Sequence, residues 1–325
     1  MKRFFLKILL FSTLVVTLQF YMPLPRDLQF KIKKIDTILR WKPDVIYFGD
    51  STLNWTAPSD RLKLSMPALL KALLPGSVVV KLVHPSYQMA IYKENLRFFI
   101  LKKYYPKCVI FPINLRSFSP IWEWQPLWQF EEEVTLINSM LEGWIWFYKP
   151  LTVFKLNHLK LTGYEYLRKK VYMGDKEVGR VRDFDNLDYF TATDENIRRQ
   201  MVVRYMYPLS EDHRFIRSML EIVRMSKAAG IEPVFYITPI DFQTGVRYVG
   251  PAFTDQVEKN VAFIQQVLSA EGVEALDLSR SLGTKYFSWP EDVPTVLYPN
   301  EHLKLRGRIF VVENLHQFMR LKKLP

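Results

Sequence analysis

A serine that follows a predicted buried strand is the first residue whose position suggests chemistry. The run Val45–Phe48 is apolar, and Gly49, Asp50 and Ser51 follow it directly. A short apolar run closed by glycine is typical of a buried parallel strand, and open α/β sheets bind ligands beyond the carboxyl ends of their strands. Ser51 could act there as a nucleophile, with its own N–H facing a developing oxyanion. Taken alone, the Gly-Asp-Ser tripeptide favours an ordinary turn. A role of Ser51 as a nucleophile therefore requires suitable partners elsewhere in the chain.

His302 is the histidine best placed to act as a base for Ser51. The chain has five histidines, and His302 lies in the loop before the last predicted helix. That loop follows the fifth predicted strand, so we expect it on the same rim of the sheet as Ser51. His84 follows the second predicted strand and is a weaker candidate. His316 lies inside the last predicted helix, and we expect it to pack against the core or to be exposed on the surface.

The elements that must position these residues alternate along the chain. Strands are predicted at Val45–Phe48, Ser77–Val83, Lys107–Ile113, Glu232–Thr238 and Val273–Leu278. Helices are predicted at Ser59–Leu74, Ile91–Tyr105, Ser210–Ala229, Phe253–Glu271 and Leu305–Leu321. Strands alternating with helices indicate a parallel sheet covered on both faces. The sequence therefore predicts an α/β fold, a three-layer sandwich with a mainly parallel, flavodoxin-like central sheet.

Residues 115–204 interrupt this alternation. They contain no clear strand pattern, and five of the eight tryptophans fall between Trp122 and Trp146. This composition predicts a helical, Trp-rich insertion after the third strand, on the side of the ligand crevice. Its aromatic rings could line a sugar-binding cleft, form a lid or rest on a membrane interface. Equally, they could simply pack the insertion onto the sheet.

The N-terminus combines basic residues with an apolar segment. Lys2, Arg3 and Lys7 precede the apolar stretch Ile8–Met22, and no small-residue cleavage site follows it. This pattern favours a signal anchor or uncleaved signal segment at residues 1–22, followed by a linker at 23–41 and one domain at 42–325. Basic residues lie on both sides of the segment. We expect a single-pass membrane protein whose main domain is extracytoplasmic, either periplasmic or on the cell surface.

Composition narrows the choice of partners. The 325 residues carry 45 Lys and Arg against 33 Asp and Glu, a formal net charge of +12 that favours anionic partners. No nucleic-acid motif accompanies this charge, so we expect no nucleic-acid partner. The histidines are dispersed and Cys108 is the single cysteine, which predicts no metal site. No Gly-rich phosphate loop follows a strand, and no cofactor is expected.

Three blocks, in this order, resemble those of the SGNH (GDSL-type) hydrolase superfamily. Gly49-Asp50-Ser51 matches the serine block. Phe111-Pro112-Ile113-Asn114 is similar to the Gly-x-Asn block, with Pro112 in place of glycine. His302-Leu303, followed by Gly307, resembles the His-Leu-x-x-x-Gly pattern of many members. The resemblance spans Asp44 to about Phe318, and the predicted N-terminal anchor makes the membrane-anchored bacterial type the expected subgroup.

This resemblance implies roles for particular residues. Ser51 would be the nucleophile and His302 the base, while the Ser51 N–H and Asn114 would form the oxyanion hole. The family's other oxyanion glycine is replaced here by the segment around Gln88, whose backbone N–H would take its place. Pro299 lies where the family has its aspartate, three residues before His302. The available substitutes for that acid are Asn300, Glu301 and Asp292.

Two functions are compatible with these features. The first is a serine esterase or O-acyltransferase that acts on acetyl esters of a cell-envelope or exported glycan. The alternative is a catalytically weak or inactive binding or assembly protein of the cell envelope with the same fold. The missing aspartate motivates the alternative, because an acid next to the histidine orients the ring and stabilises the imidazolium.

Overall fold

A computed structural model describes most of the chain. The described residues are 2–21, 26–124, 130, 133–134, 137–138, 168, 170–173, 176–183, 193–288 and 301–325.

A five-stranded parallel sheet forms the centre of the molecule. Its strands are β1 (Val45–Gly49), β2 (Val79–Val83), β3 (Cys108–Ile113), β6 (Glu232–Ile237) and β7 (Ala275–Asp277). Their order across the sheet is β2-β1-β3-β6-β7, and every pairing is parallel. From β1, the chain adds β2 on one side and then β3, β6 and β7 on the other, so the strand order reverses between β1 and β3. Doubly wound sheets bind ligands at this point. The predicted fold class is confirmed.

Alternate residues of each strand face two separate apolar cores. On β1, Ile46 and Phe48 belong to one core, whereas Val45 and Tyr47 belong to the other. Every residue of β1 and β3 is buried. Strands buried on both faces must be apolar throughout, and for that reason continuous apolar runs located them in the sequence.

Helices cover both faces of the sheet. Those with eight or more residues are α1 (Lys2–Tyr21), α2 (Arg26–Trp41), α4 (Met66–Leu73), α5 (Met89–Leu101), α7 (Asp194–Tyr205), α8 (Arg214–Ala228), α9 (Phe242–Val249), α10 (Ala252–Ala270) and α11 (Leu305–Leu321). Two shorter helices are α3 (Ser51–Asn54) and α6 (Pro120–Trp124). Helices α4 and α11 bury side chains in the core that contains Tyr47, and α5, α8 and α10 in the core that contains Phe48.

The helix predicted at Ser59–Leu74 is shorter than expected. It begins at Met66, with Ser65 before it and proline in its first turn. The preceding residues form a loop held by Asp60, which accepts hydrogen bonds from Ala57 N at 2.9 Å and Leu305 N at 2.8 Å. A contact with a helix 245 positions away stabilises this loop. Local periodicity does not reveal such a contact.

Residues 115–204 contain strands that the sequence pattern did not indicate. Strands β4 (Lys170–Met173) and β5 (Lys176–Arg180) pair antiparallel in a two-stranded sheet. Lys170 Nζ and Glu177 Oε2 form an ion pair across the two strands at 2.7 Å. The prediction of no strand in this region was therefore wrong. Three of the five tryptophans of the insertion (Trp128, Trp144 and Trp146) lie outside the described residues.

The N-terminal residues form two helices. The side chains of α1 are largely exposed, including Phe4, Leu9 and Phe11. Helix α2, which occupies most of the predicted linker at 23–41, buries Ile35 and Ile38 in the main core. By length and apolar character, no helix among the described residues qualifies as a membrane span.

Candidate active site

Ser51 and His302 meet at the carboxyl end of the sheet. The distance from Ser51 Oγ to His302 Nε2 is 3.0 Å, within the range of a working nucleophile–base hydrogen bond. The imidazole also lies against the indole of Trp55, with 5.3 Å between the ring centroids. The site is therefore assembled from the turn after β1 and from a loop 251 positions later in the chain.

In the turn after β1, the Leu53 side chain packs closely against Gly49. A Cβ on Gly49 would lie 2.3 Å from Leu53 Cδ2, a distance at which something must shift. Asp50 then caps the short helix α3, since its Oδ1 accepts from Thr52 N at 2.8 Å and from Thr52 Oγ1 at 2.6 Å. Ser51 is the first residue of that helix. The turn thus presents the serine hydroxyl at the rim of the sheet.

The segment that carries His302 is held by backbone hydrogen bonds. Ser288 N donates to His302 O at 2.8 Å, and Lys304 N donates to Tyr286 O at 2.8 Å. A Cβ on Gly307 would lie 3.2 Å from Tyr286 O, so glycine allows the start of α11 to approach this segment closely. This close approach gives a physical reason for a glycine five residues after the histidine.

Asn114 lies next to the serine turn, as expected for an oxyanion donor. It follows β3, which neighbours β1, and its Nδ2 donates to Asp50 Oδ2 at 3.3 Å. Its Oδ1 accepts from Arg116 N at 3.1 Å, which fixes the orientation of the amide. Because Nδ2 carries two hydrogens, the bond to Asp50 leaves one more N–H on that atom for an oxyanion.

Gln88 lies on the other side of β1, after β2. It is the N-cap of α5, and its side-chain oxygen accepts from Ala90 N at 2.5 Å. The Gln88 side-chain oxygen thereby caps the helix, whereas the predicted role was assigned to the backbone N–H of this segment. His84, the weaker candidate base, has its Nδ1 2.8 Å from Pro85 O and packs against Tyr87.

Glu301, one of the candidate acids, is buried in an ion pair. Its Oε2 lies 3.0 Å from Arg116 Nε, and its Oε1 accepts a hydrogen bond from Tyr205. Arg116 also lies over the ring of Trp122, at 5.3 Å from the centroid. The structure thus brings Glu301 to Arg116 and Tyr205. The other two candidates, Asn300 and Asp292, lie outside the described residues.

Burial and Arg116 together keep His302 neutral. Loss of solvent, reinforced by the positive charge of Arg116, lowers the pKa of His302 to about 3. A neutral imidazole can accept the serine proton, whereas an imidazolium cannot. Burial also raises the pKa of Asp50, although Thr52 and Arg116 oppose that shift.

Three residues near the site were missed by sequence reasoning. Trp55 contacts the imidazole, Arg116 binds Glu301 beside it, and Tyr205 completes the same cluster. The only sequence signal was the position of Arg116, two residues after Asn114. Among the described residues, no group of three or more His, Cys, Asp and Glu side chains could hold a metal ion.

Comparison of the chain with models of known protein families gives no match, and comparison with curated proteins gives none either.

Proposed function

We propose that the protein is a serine esterase or O-acyltransferase that acts on acetyl esters of a cell-envelope or exported glycan. The observation that carries this proposal is the 3.0 Å distance between Ser51 Oγ and His302 Nε2. The position of the pair supports it, because both residues lie at the point where the strand order reverses. The sequence resemblance to SGNH hydrolases points to the same chemistry.

The reaction would follow the course of serine acyl transfer. Ser51 Oγ attacks the ester carbonyl while His302 Nε2 takes the hydroxyl proton. The Ser51 N–H and Asn114 Nδ2 stabilise the oxyanion of the tetrahedral intermediate. His302 then gives its proton to the departing sugar oxygen, leaving an acetyl group on Ser51. Water completes hydrolysis, whereas a second sugar hydroxyl completes transfer, and in both cases His302 removes the proton of the attacking group.

The N-terminal segment supports the proposed location of the substrate. Helix α1 begins with basic residues and continues with exposed apolar side chains, a pattern that supports a membrane-attached protein with its main domain outside the cytoplasm. Acetyl esters on exported polymers are a class of ester that a domain in that compartment would meet. A small soluble ester would still react, since the chemistry requires only the carbonyl group.

Hydrolysis of a chromogenic acetyl ester tests the proposal. Ser51→Ala should abolish release of the chromophore, and Ser269→Ala, which changes an exposed serine of α10, should retain it. If the wild-type chain releases no acetyl group from either a chromogenic ester or an acetylated glycan, the alternative of an inactive envelope binding or assembly protein replaces the enzyme proposal.

A further inference from the structure

A cavity lies at the start of α11, the helix that begins three residues after His302. This cavity has a volume of about 560 Å³, and four of its lining residues are basic: Arg61, Lys285, Lys304 and Arg306. We call it the basic pocket. Asp60 is the only acidic residue in its lining among the described part of the chain. Four cations around one cavity create a strongly positive local potential.

The negative charge of Asp60 is already compensated from within the protein. Asp60 Oδ2 lies 2.8 Å from Arg308 Nη2, and the Arg308 side chain is fully buried. Asp60 Oδ1 accepts from Leu305 N at 2.8 Å. Because Arg308 balances Asp60, the carboxylate in the lining does not offset the charges of Arg61, Lys285 and Arg306.

The helix that borders the pocket adds to this charge. Lys304 is the N-cap of α11, and Leu305 and Arg306 are its first residues. The N-terminus of a 17-residue helix carries a partial positive charge from its aligned peptide dipoles. Anionic groups are stabilised at such a terminus. The helix N-terminus and the basic side chains therefore both favour a negatively charged ligand.

The basic pocket and the candidate active site are formed by neighbouring segments of the chain. Lys304 lies two residues after His302, so their Cα atoms are at most about 7 Å apart. Arg61 lies on the loop that continues from Ser51 through Trp55, whose ring contacts His302. A polymer with its ester at Ser51 would thus place a neighbouring unit within reach of these cations.

We propose that the basic pocket binds an anionic group, carboxylate, phosphate or sulfate, on the same polymer that carries the ester. The substrate is then an acidic glycan, and the pocket selects it over a neutral one. This proposal rests on the proposed function, because it names the substrate class of the same site. It adds Arg61, Lys285, Lys304 and Arg306 as residues that determine specificity.

Binding without catalysis tests the pocket independently of any activity. The full chain carrying Ser51→Ala, in uncharged detergent, is titrated with unesterified oligogalacturonate. Arg61→Gln/Arg306→Gln should weaken binding by about tenfold or more, as expected when charge-assisted contacts are lost. The control Arg217→Gln/Arg320→Gln removes the same charge from two exposed arginines outside the pocket and should leave binding unchanged. Circular dichroism verifies that all variants fold.

Three results of this titration would overturn the proposal. Unchanged binding in Arg61→Gln/Arg306→Gln would show that the pocket takes no anion. Equal weakening in both double variants would show that only net charge matters. Pocket-dependent binding of uncharged detergent micelles that contain phosphatidylglycerol, without binding of oligogalacturonate, would show that the pocket binds lipid headgroups and not a glycan.

A kinetic comparison separates failure of the pocket from failure of the enzyme proposal. The ratio of kcat/KM for acetylated polygalacturonate to kcat/KM for a small neutral acetyl ester should fall about tenfold in Arg61→Gln/Arg306→Gln, again as expected from the loss of charge-assisted contacts. The ratio should stay constant in Arg217→Gln/Arg320→Gln. An active enzyme whose ratio does not change in the pocket variant contradicts the pocket alone. A wild-type chain without activity contradicts the enzyme proposal, and the titration still decides the pocket.

Discussion

Glu301 Oε2 lies 3.0 Å from Arg116 Nε, with both side chains almost completely buried. This ion pair joins the residue before His302 to the turn that follows Asn114 and β3. Tyr205 donates a hydrogen bond to the second oxygen of the same carboxylate. The cluster thus ties the His302 loop to the strand next to Ser51, and it places a positive charge near the imidazole.

The buried pair should be costly to break from one side. Arg116→Met leaves the Glu301 carboxylate without its cation, and we expect the free energy of unfolding to fall by about 3–5 kcal/mol. The double variant Arg116→Met/Glu301→Gln removes both charges and should recover part of that loss. Denaturant unfolding of Arg116→Met, Glu301→Gln and the double variant measures the coupling free energy between the two side chains. Additive effects would contradict a direct interaction between the two side chains.

The pH dependence of the reaction should reflect the lowered pKa of His302. The base works as neutral imidazole, so activity is present above its pKa and falls as the pH drops through that value. With a pKa of about 3, kcat/KM should stay high well below pH 6.5, the usual value for histidine. A profile of kcat/KM against pH on a neutral ester measures this. A fall centred at or above pH 6.5 would contradict it.

Gly49 should be required for the position of Ser51. In Gly49→Ala the new methyl group would meet Leu53 Cδ2 at 2.3 Å, and overpacking of this kind costs roughly 1–3 kcal/mol. We expect lower thermal stability and lower kcat. Gly76→Ala is the matched control, since no atom lies within 4 Å of the Cβ position there. Adding Leu53→Ala should relieve the contact, so a double variant with no gain in kcat over Gly49→Ala would count against this steric explanation.

Asn114 should contribute mainly to the transition state. Loss of one oxyanion donor lowers kcat by about 10²–10³-fold in a serine protease, and we expect Asn114→Ala to lower kcat on a neutral ester within that range. KM should change little, because the oxyanion forms only during the reaction. Steady-state kinetics separates the two parameters. A rise in KM with unchanged kcat would instead assign Asn114 to ground-state binding.

The fold could be predicted from the sequence because the central strands β1 and β3 are buried on both faces. The run Val45–Phe48 is apolar throughout and lies within β1, and the other four predicted runs each contain an observed strand. The last helix was predicted with the observed bounds, Leu305–Leu321. In contrast, β4 offers only three consecutive apolar residues and β5 is mostly charged, so neither strand was marked by a longer apolar run or a simple alternation.

The site was less accessible to sequence reasoning than the fold. Ser51 and His302 could be chosen because each follows an element that ends at the same rim of the sheet. The partners of Glu301 could not be predicted from the sequence. Its ion pair with Arg116 and its hydrogen bond from Tyr205 join three segments that are distant in sequence. The same is true of the basic pocket, which combines residues near 60, 285 and 305.

The residue that reacts with a fluorophosphonate probe tests the central claim most directly. Only a serine activated by a base should attack the probe, and peptide mapping by mass spectrometry identifies the modified residue. We predict one adduct, on Ser51, with labelling abolished in Ser51→Ala and slowed by about 10²-fold or more in His302→Ala, as expected for loss of a general base. A wild-type chain that stays unlabelled, or an adduct on a serine other than Ser51, would contradict the assignment of Ser51 as the nucleophile.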